Sequence, residues 1–161
     1  MTDKNYGDPK STRAYQCFMG RWEGLCKTFD DKGNFLESSA VHMDVYWIDD
    51  NTWHLHEDFE KLYGYGPAVY HTDIQVDGKF CSGGNEMVQL HGTELTPFNY
   101  VFTIESEISK STVYNNHYFL DPNNRRIITH KVRDGKTLIF QIQDFVRVQQ
   151  LRPPVIASPE P

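Results

Sequence analysis

The chain has 161 residues, with 16 Lys and Arg against 22 Asp and Glu and a formal net charge of −6. That length suits one domain with a core of ordinary size. The acidic balance, with no local cluster of Lys and Arg to offset it, excludes the basic face that a nucleic-acid partner requires.

Residues 1–14 are polar and turn-rich and read as a loose arm, and residues 12–19 as a short helical turn that lids one end of the domain. The stretch Phe18-Met19-Gly20-Arg21-Trp22-Glu23-Gly24 then opens a first strand at 21–29. Gly20 permits a sharp backbone turn where a side chain would clash, and Trp22 supplies one large ring to plug the end of a barrel. After the turn at 30–34, with Gly33 and Asn34 suited to positive φ, a second strand at 35–48 alternates so that Val41, Met43, Val45 and Trp47 share a side. Asp49-Asp50-Asn51 turns the chain into a third strand at 53–63.

Tyr63 to Pro67 breaks the pattern as a loop at the barrel mouth. Strands at 68–76 and 79–90 meet across Asp77-Gly78, a type I′ hairpin signal, and Ser82-Gly83-Gly84 kinks the second of them. Beyond a loop at 92–97 come strands at 98–108, 111–120, 125–132 and 137–149, with Asp134-Gly135 as the last turn. About nine short strands and no amphipathic helix predict an all-β domain, a sandwich or an up-and-down antiparallel barrel. The barrel domain is placed at 15–150 and a disordered Pro-rich tail at 151–161.

Register is set by the turns, because a one-residue slip exchanges the two faces of a strand. A plain two-residue turn at Asp134-Gly135 puts Tyr114, Asn116, Tyr118, Ile127, Thr129, Lys131, Leu138, Phe140, Ile142, Asp144, Val146 and Val148 on one face, taken as the inner one. Lys131, Asp144, Asn116 and two tyrosines then surround a cavity, since a solid core would leave such groups unpaired at a cost. In the front half, a two-residue turn at Asp50-Asn51 sends His54, His56 and Asp58 inward. A three-residue loop sends Trp53, Leu55 and Phe59 inward and the histidines out to water. The sequence leaves these two registers open.

In the first register His54 and His56 serve as acid–base groups near neutral pH, oriented by Asp58. Tyr114 and Tyr118 donate to a carbonyl or developing enolate, with Asn116 beside them. Trp22, Trp47 and Phe140 stack on a ligand, and Lys131 and Asp144 form a polar pair at or near the lumen. His-x-His also suits zinc, but no third ligand is marked, so neither metal nor cofactor is expected. No Gly-x-Ser-x-Gly, P-loop or dinucleotide fingerprint occurs.

Gly20-Arg21-Trp22 near the start and Asp144-Phe145-Val146-Arg147-Val148 near the end resemble the two terminal strands of lipocalins and their relatives, the calycin superfamily. The resemblance implies a closed antiparallel barrel in which Arg147 lies over Trp22. The chain departs from typical secreted lipocalins: its start is polar, and Cys17, Cys26 and Cys81 are odd in number and widely spaced. It is more similar to small intracellular members, so a cytoplasmic setting is expected. Such barrels carry pigments and lipids, attach bilins, or run cofactor-free cyclisations and isomerisations. The resemblance implies three readings: an enzyme making one acid–base step (cyclisation, isomerisation or lyase-type) on a bulky apolar conjugated molecule; a carrier for a pigment, lipid or tetrapyrrole; and a protein-interaction barrel with a filled lumen. No nucleic acid or membrane span is expected; the oligomeric state is open, a homodimer included.

Overall fold

A computed structural model describes residues 3–62 and 66–148. A 3-10 turn, η1 (Gln16–Phe18), precedes ten strands: β1 (Gly20–Asp30), β2 (Phe35–Trp47), β3 (Thr52–Leu62), β4 (Gly66–Asp77), β5 (Phe80–Gly84), β6 (Val88–Thr96), β7 (Asn99–Ser106), β8 (Ser111–Asp121), β9 (Asn124–Arg133) and β10 (Lys136–Val148). Each strand pairs antiparallel with its sequence neighbours, and β1 also pairs with β10, which closes an up-and-down barrel. Ten strands replace the expected nine. Gly84, at φ 123°, ends β5, and the chain re-enters the sheet at Val88, so residues 92–96 are strand rather than loop. No helix among the described residues is long and apolar enough to cross a membrane. The expected Pro-rich tail at 151–161 and most of the expected mouth loop lie outside the described residues.

One end of the barrel is closed as the two terminal motifs imply. Trp22 is 1% exposed; its indole N–H donates to the Phe18 carbonyl at 3.0 Å, and the Arg147 guanidinium sits 4.3 Å from the centre of its ring. Arg147 also donates to the carbonyls of Met19, Cys17 and Pro122, tying β10 to η1 and to the β8–β9 turn. Gly20 adopts φ 125°, and a side chain there would collide with that guanidinium, so the position needs glycine on both counts. Tyr15 and Phe18 pack with Trp53, Tyr100 and Phe102 as the floor of the barrel. Ahead of them the N-terminal segment lies against β2, with Asn5 bridging to Trp47, Lys4 and Tyr6 bonded to Asp44, and Arg13 stacked 3.6 Å over Trp47.

Trp22, Val41, Met43, Val45 and Trp47 point inward as expected. The linker to β3 is the three-residue loop, with the Ile48 N–H donating to the Thr52 carbonyl and Trp47 opposite Trp53. It is Trp53, Leu55, Glu57 and Phe59 that face the lumen, so the register carrying His54, His56 and Asp58 inward is corrected.

A second correction concerns β8 and β10. The turn at Asp134-Gly135 forms as expected, with both residues at positive φ and Arg133 opposite Lys136. A bulge at Leu138 then sets Ile139, not Leu138, against Lys131, and a like irregularity after Phe119 sets Tyr118 against Arg126 rather than Ile127. One extra residue per strand exchanges inside and outside. Of β8, β9 and β10 only β9 keeps its expected faces, with Ile127 and Thr129 inward.

Candidate functional site

Above the aromatic floor lies a cavity of about 250 Å³. Much of its wall is apolar, with Leu55, Phe59, Ile74, Leu90 and Ile104 among its residues, yet Glu57, Tyr70, Asn115, His117, Arg125, Thr129, Gln141 and Gln143 also line it. The lumen is therefore neither filled nor uniformly oily. Part of this polar lining is paired: Gln141 donates to Thr28, Thr129 donates to Asn115, and Gln143 donates to Thr129.

The pairing is incomplete. Five residues on the cavity wall each carry a buried polar atom with no hydrogen-bond partner among the described residues: Trp53 Nε1, Tyr70 OH, His117 Nδ1, Arg125 Nε and Gln143 Oε1. Three of these are donors (indole, hydroxyl and guanidinium), Gln143 Oε1 accepts, and the role of His117 depends on its tautomer. Each unpaired group costs about 1–3 kcal/mol.

Arg125 is 1% exposed. Aromatic rings surround it, with its guanidinium carbon 4.4 Å from the centre of Trp22, 4.9 Å from Phe18 and 5.1 Å from Phe119. Ring faces hold a cation without neutralising it. Among the described residues its side chain makes one hydrogen-bond contact, a long one to Met43 Sδ at 3.9 Å, and no ion pair. Desolvation pushes the guanidinium down to about 9, which still leaves it cationic at neutral pH. His117 packs edge-on to Phe102 at 4.9 Å, and burial with the nearby Arg125 charge lowers it well below the usual imidazole range, so it is neutral at pH 7.

Glu57 stands on β3 between Met43 of β2 and Tyr70 of β4. Desolvation pushes its carboxyl up to about 7, against the pull of Arg125 and His56. Tyr70 is pushed up to about 12, by burial first and by Glu57 second. A carboxyl pushed up toward neutral pH, in a cavity that also holds a buried guanidinium, is the arrangement acid–base chemistry uses.

The residues expected to form the site fall elsewhere. His54 and His56 lie on the outer wall, bonded to Asp73 at 2.6 Å and to Asp58 at 3.0 Å. Tyr114 and Tyr118 are outward and 48% and 37% exposed. Asn116 accepts from Asn99, Phe140 stacks on His130 at 4.7 Å, and Asp144 pairs outside with Arg126 at 2.7 Å. Lys131 is half-buried and does not line the cavity. Trp22 and Trp47 are inside but belong to the closed end. Glu57, Arg125 and His117 take the places assigned to those groups. Their signal was present in the alternation: Trp53-x-Leu55-x-Glu57-x-Phe59 leaves one carboxylate in an apolar row, and Arg125-x-Ile127-x-Thr129 one guanidinium.

These features define a calycin-like barrel: closed, up-and-down, plugged by a Gly-x-Trp motif and its arginine, and hollow. No protein-family model and no curated protein matches the sequence. Among solved structures of the same fold is the S-type phycobiliprotein lyase CPES from Guillardia theta, with a TM-score of 0.65 at 10% identity over 84% of this chain and 90% of that one. Another is a protein of unknown function from the DUF3598 family of Nostoc punctiforme PCC 73102, with a TM-score of 0.68 at 12% identity over 82% of this chain. This chain covers 48% of that protein's length. At these identities the likeness is one of fold.

Proposed function

We propose that the lumen binds a small, largely apolar, conjugated molecule by an oxygen-bearing end, and that Glu57 moves a proton on it in a cofactor-free isomerisation, cyclisation or lyase-type step. The observation that carries this reading is the set of buried polar groups around one cavity that have no partner among the described residues, mostly donors and including a cation. A carboxylate or polarised carbonyl directed at Arg125 supplies the missing acceptor, and the apolar wall takes the rest. Glu57 as carboxylate removes a proton from a carbon next to the polarised group and, as carboxylic acid, returns it at another position. For an isomerisation or cyclisation no further reactant is needed; in a lyase-type elimination the bond to the leaving group breaks and Glu57 hands that group the proton. A cavity of about 250 Å³ sits at the small end of ligand sites. A tetrapyrrole is one candidate in this class, supported by the fold likeness to a phycobiliprotein lyase; most of it would extend beyond the enclosed volume. The three free cysteines support a reducing, cytoplasmic setting.

The extensive apolar wall favours a second reading, a carrier without turnover. Native mass spectrometry and an absorption spectrum of the protein from its source cells separate the two, once the captured molecule is returned to apo-protein. Conversion supports the enzyme, and unchanged retention supports the carrier. Arg125→Met leaves the barrel folded, because an apolar chain of similar length replaces a buried unpaired charge. It weakens ligand binding about 10- to 100-fold, as expected for one charge-assisted hydrogen bond. Equal affinity in both proteins would remove Arg125 from the site. His54→Ala, His56→Ala and Tyr114→Phe leave lumen binding unchanged and shift stability by less than ~0.5 kcal/mol, as outer-wall changes do. Calorimetric titration and thermal melts check both.

A further inference from the structure

The outer face of β3 and β4 carries a second concentration of ionisable groups, separate from the lumen. β3 contributes His54, His56 and Asp58; β4 contributes His71 and Asp73. Antiparallel pairing sets His56 directly across from His71, and His54 across from Asp73. His71 therefore neighbours both histidines of β3, its ring centre 6.0 Å from that of His54 and 6.2 Å from that of His56. The sequence offers only His-x-His, and the sheet supplies the third imidazole.

We infer that His54, His56 and His71 form a binding site for zinc or a similar divalent transition-metal ion on the outer wall of the barrel. Two residues two apart on one strand, with a third across from them on the next, present three side chains on one face of a sheet. A tetrahedral zinc with imidazole nitrogens at ~2.0–2.1 Å holds the ring centres roughly 5 Å apart. The two separations from His71 exceed that by about 1 Å, which side-chain rotation closes without moving the strands. Among the described residues no three His, Cys, Asp or Glu side chains are placed to hold a metal ion as they stand. The ion draws the three imidazoles together, and water completes the fourth position.

The carboxylates are the second, independent argument. His54 bonds through Nδ1 to Asp73 at 2.6 Å, and His56 through Nε2 to Asp58 at 3.0 Å. A carboxylate on one ring nitrogen fixes the tautomer and leaves the lone pair of the other nitrogen for a metal, the way ligating histidines are commonly held. Two aspartates also offset the charge of a dication. The ligands stand at the surface, with the side chains of His54 and His56 20% and 40% exposed, so an ion reaches them from solvent.

The test is isothermal titration of the tag-free full chain with zinc chloride alone near neutral pH, together with the visible absorption of the cobalt(II) form. The expected result is one ion per chain. Affinity falls at least 10-fold in His71→Ala and in His54→Ala, and about 10- to 100-fold in Asp73→Asn through loss of the orienting carboxylate. His91→Ala, a surface histidine on β6, serves as a control and binds as the parent does. Circular dichroism confirms that each variant is folded. Absence of saturable binding overturns the proposal, as does binding, or a cobalt band, that survives His71→Ala unchanged.

Discussion

At pH 8, Glu57→Gln melts at a higher temperature than the parent protein, and the advantage disappears near pH 4.5. Burial raises the folded-state pKa of Glu57 from 4.5 to about 7. The native state therefore binds this proton more tightly than the unfolded chain does. The resulting stability is complete below 4.5 and is lost as the pH climbs through 7. A shift of that size amounts to about 3 kcal/mol at most, or roughly 6–12 °C in a domain of this length. Glutamine keeps the shape of the protonated acid and cannot ionise, so the variant escapes the loss. Thermal melts of both proteins from pH 4.5 to 8 check this; parallel curves would show that Glu57 ionises as it does in water. If the barrel is an enzyme, the same substitution slows the chemical step about 100- to 10,000-fold, while Arg125 retains the ligand. Stability gained where activity is lost is the usual sign of a group kept for chemistry rather than for the fold.

Trp22→Ala costs about 3–5 kcal/mol, as the loss of a buried aromatic does. The ring is a joint as well as a plug. It donates to the Phe18 carbonyl at 3.0 Å, receives Arg147 at 4.3 Å and Arg125 at 4.4 Å, and meets Phe119 edge-on at 6.1 Å. Removing it opens the closed end and takes the nearest ring face from both guanidinium groups. Against a total stability of about 5–15 kcal/mol for an ordinary domain, that loss approaches unfolding. Urea denaturation of Trp22→Ala and Trp22→Phe checks it. The phenylalanine keeps a ring without the N–H and falls between alanine and the parent. A cost below about 1 kcal/mol for alanine would show that the barrel end does not depend on this residue.

Local chemistry was legible in the chain. Gly20 and Trp22 mark the first strand because one needs positive φ and the other a floor to pack on, and Arg147 answers them from the last strand. Asp134-Gly135 marks a two-residue turn, and the alternation of β2 identifies its buried side. These depend on residues near one another or on a single strand, where side-chain direction is set by position.

What passes from one strand to the next was not legible. The identity of the lumen residues depends on whether the β2–β3 loop has two residues or three, and on the irregularities after Phe119 and at Leu138. Each is a difference of one residue that no side-chain type announces, and each exchanges the two faces of everything beyond it. The sequence by itself thus determined an all-β calycin-like barrel and the residues that close its end. Only the tertiary structure decided that Glu57, His117 and Arg125 face the cavity while Tyr114 and Tyr118 face water, and that His71 stands beside His54 and His56. Strand identity is written in local alternation, whereas a site is written in the register between strands, and register exists only once the sheet has closed.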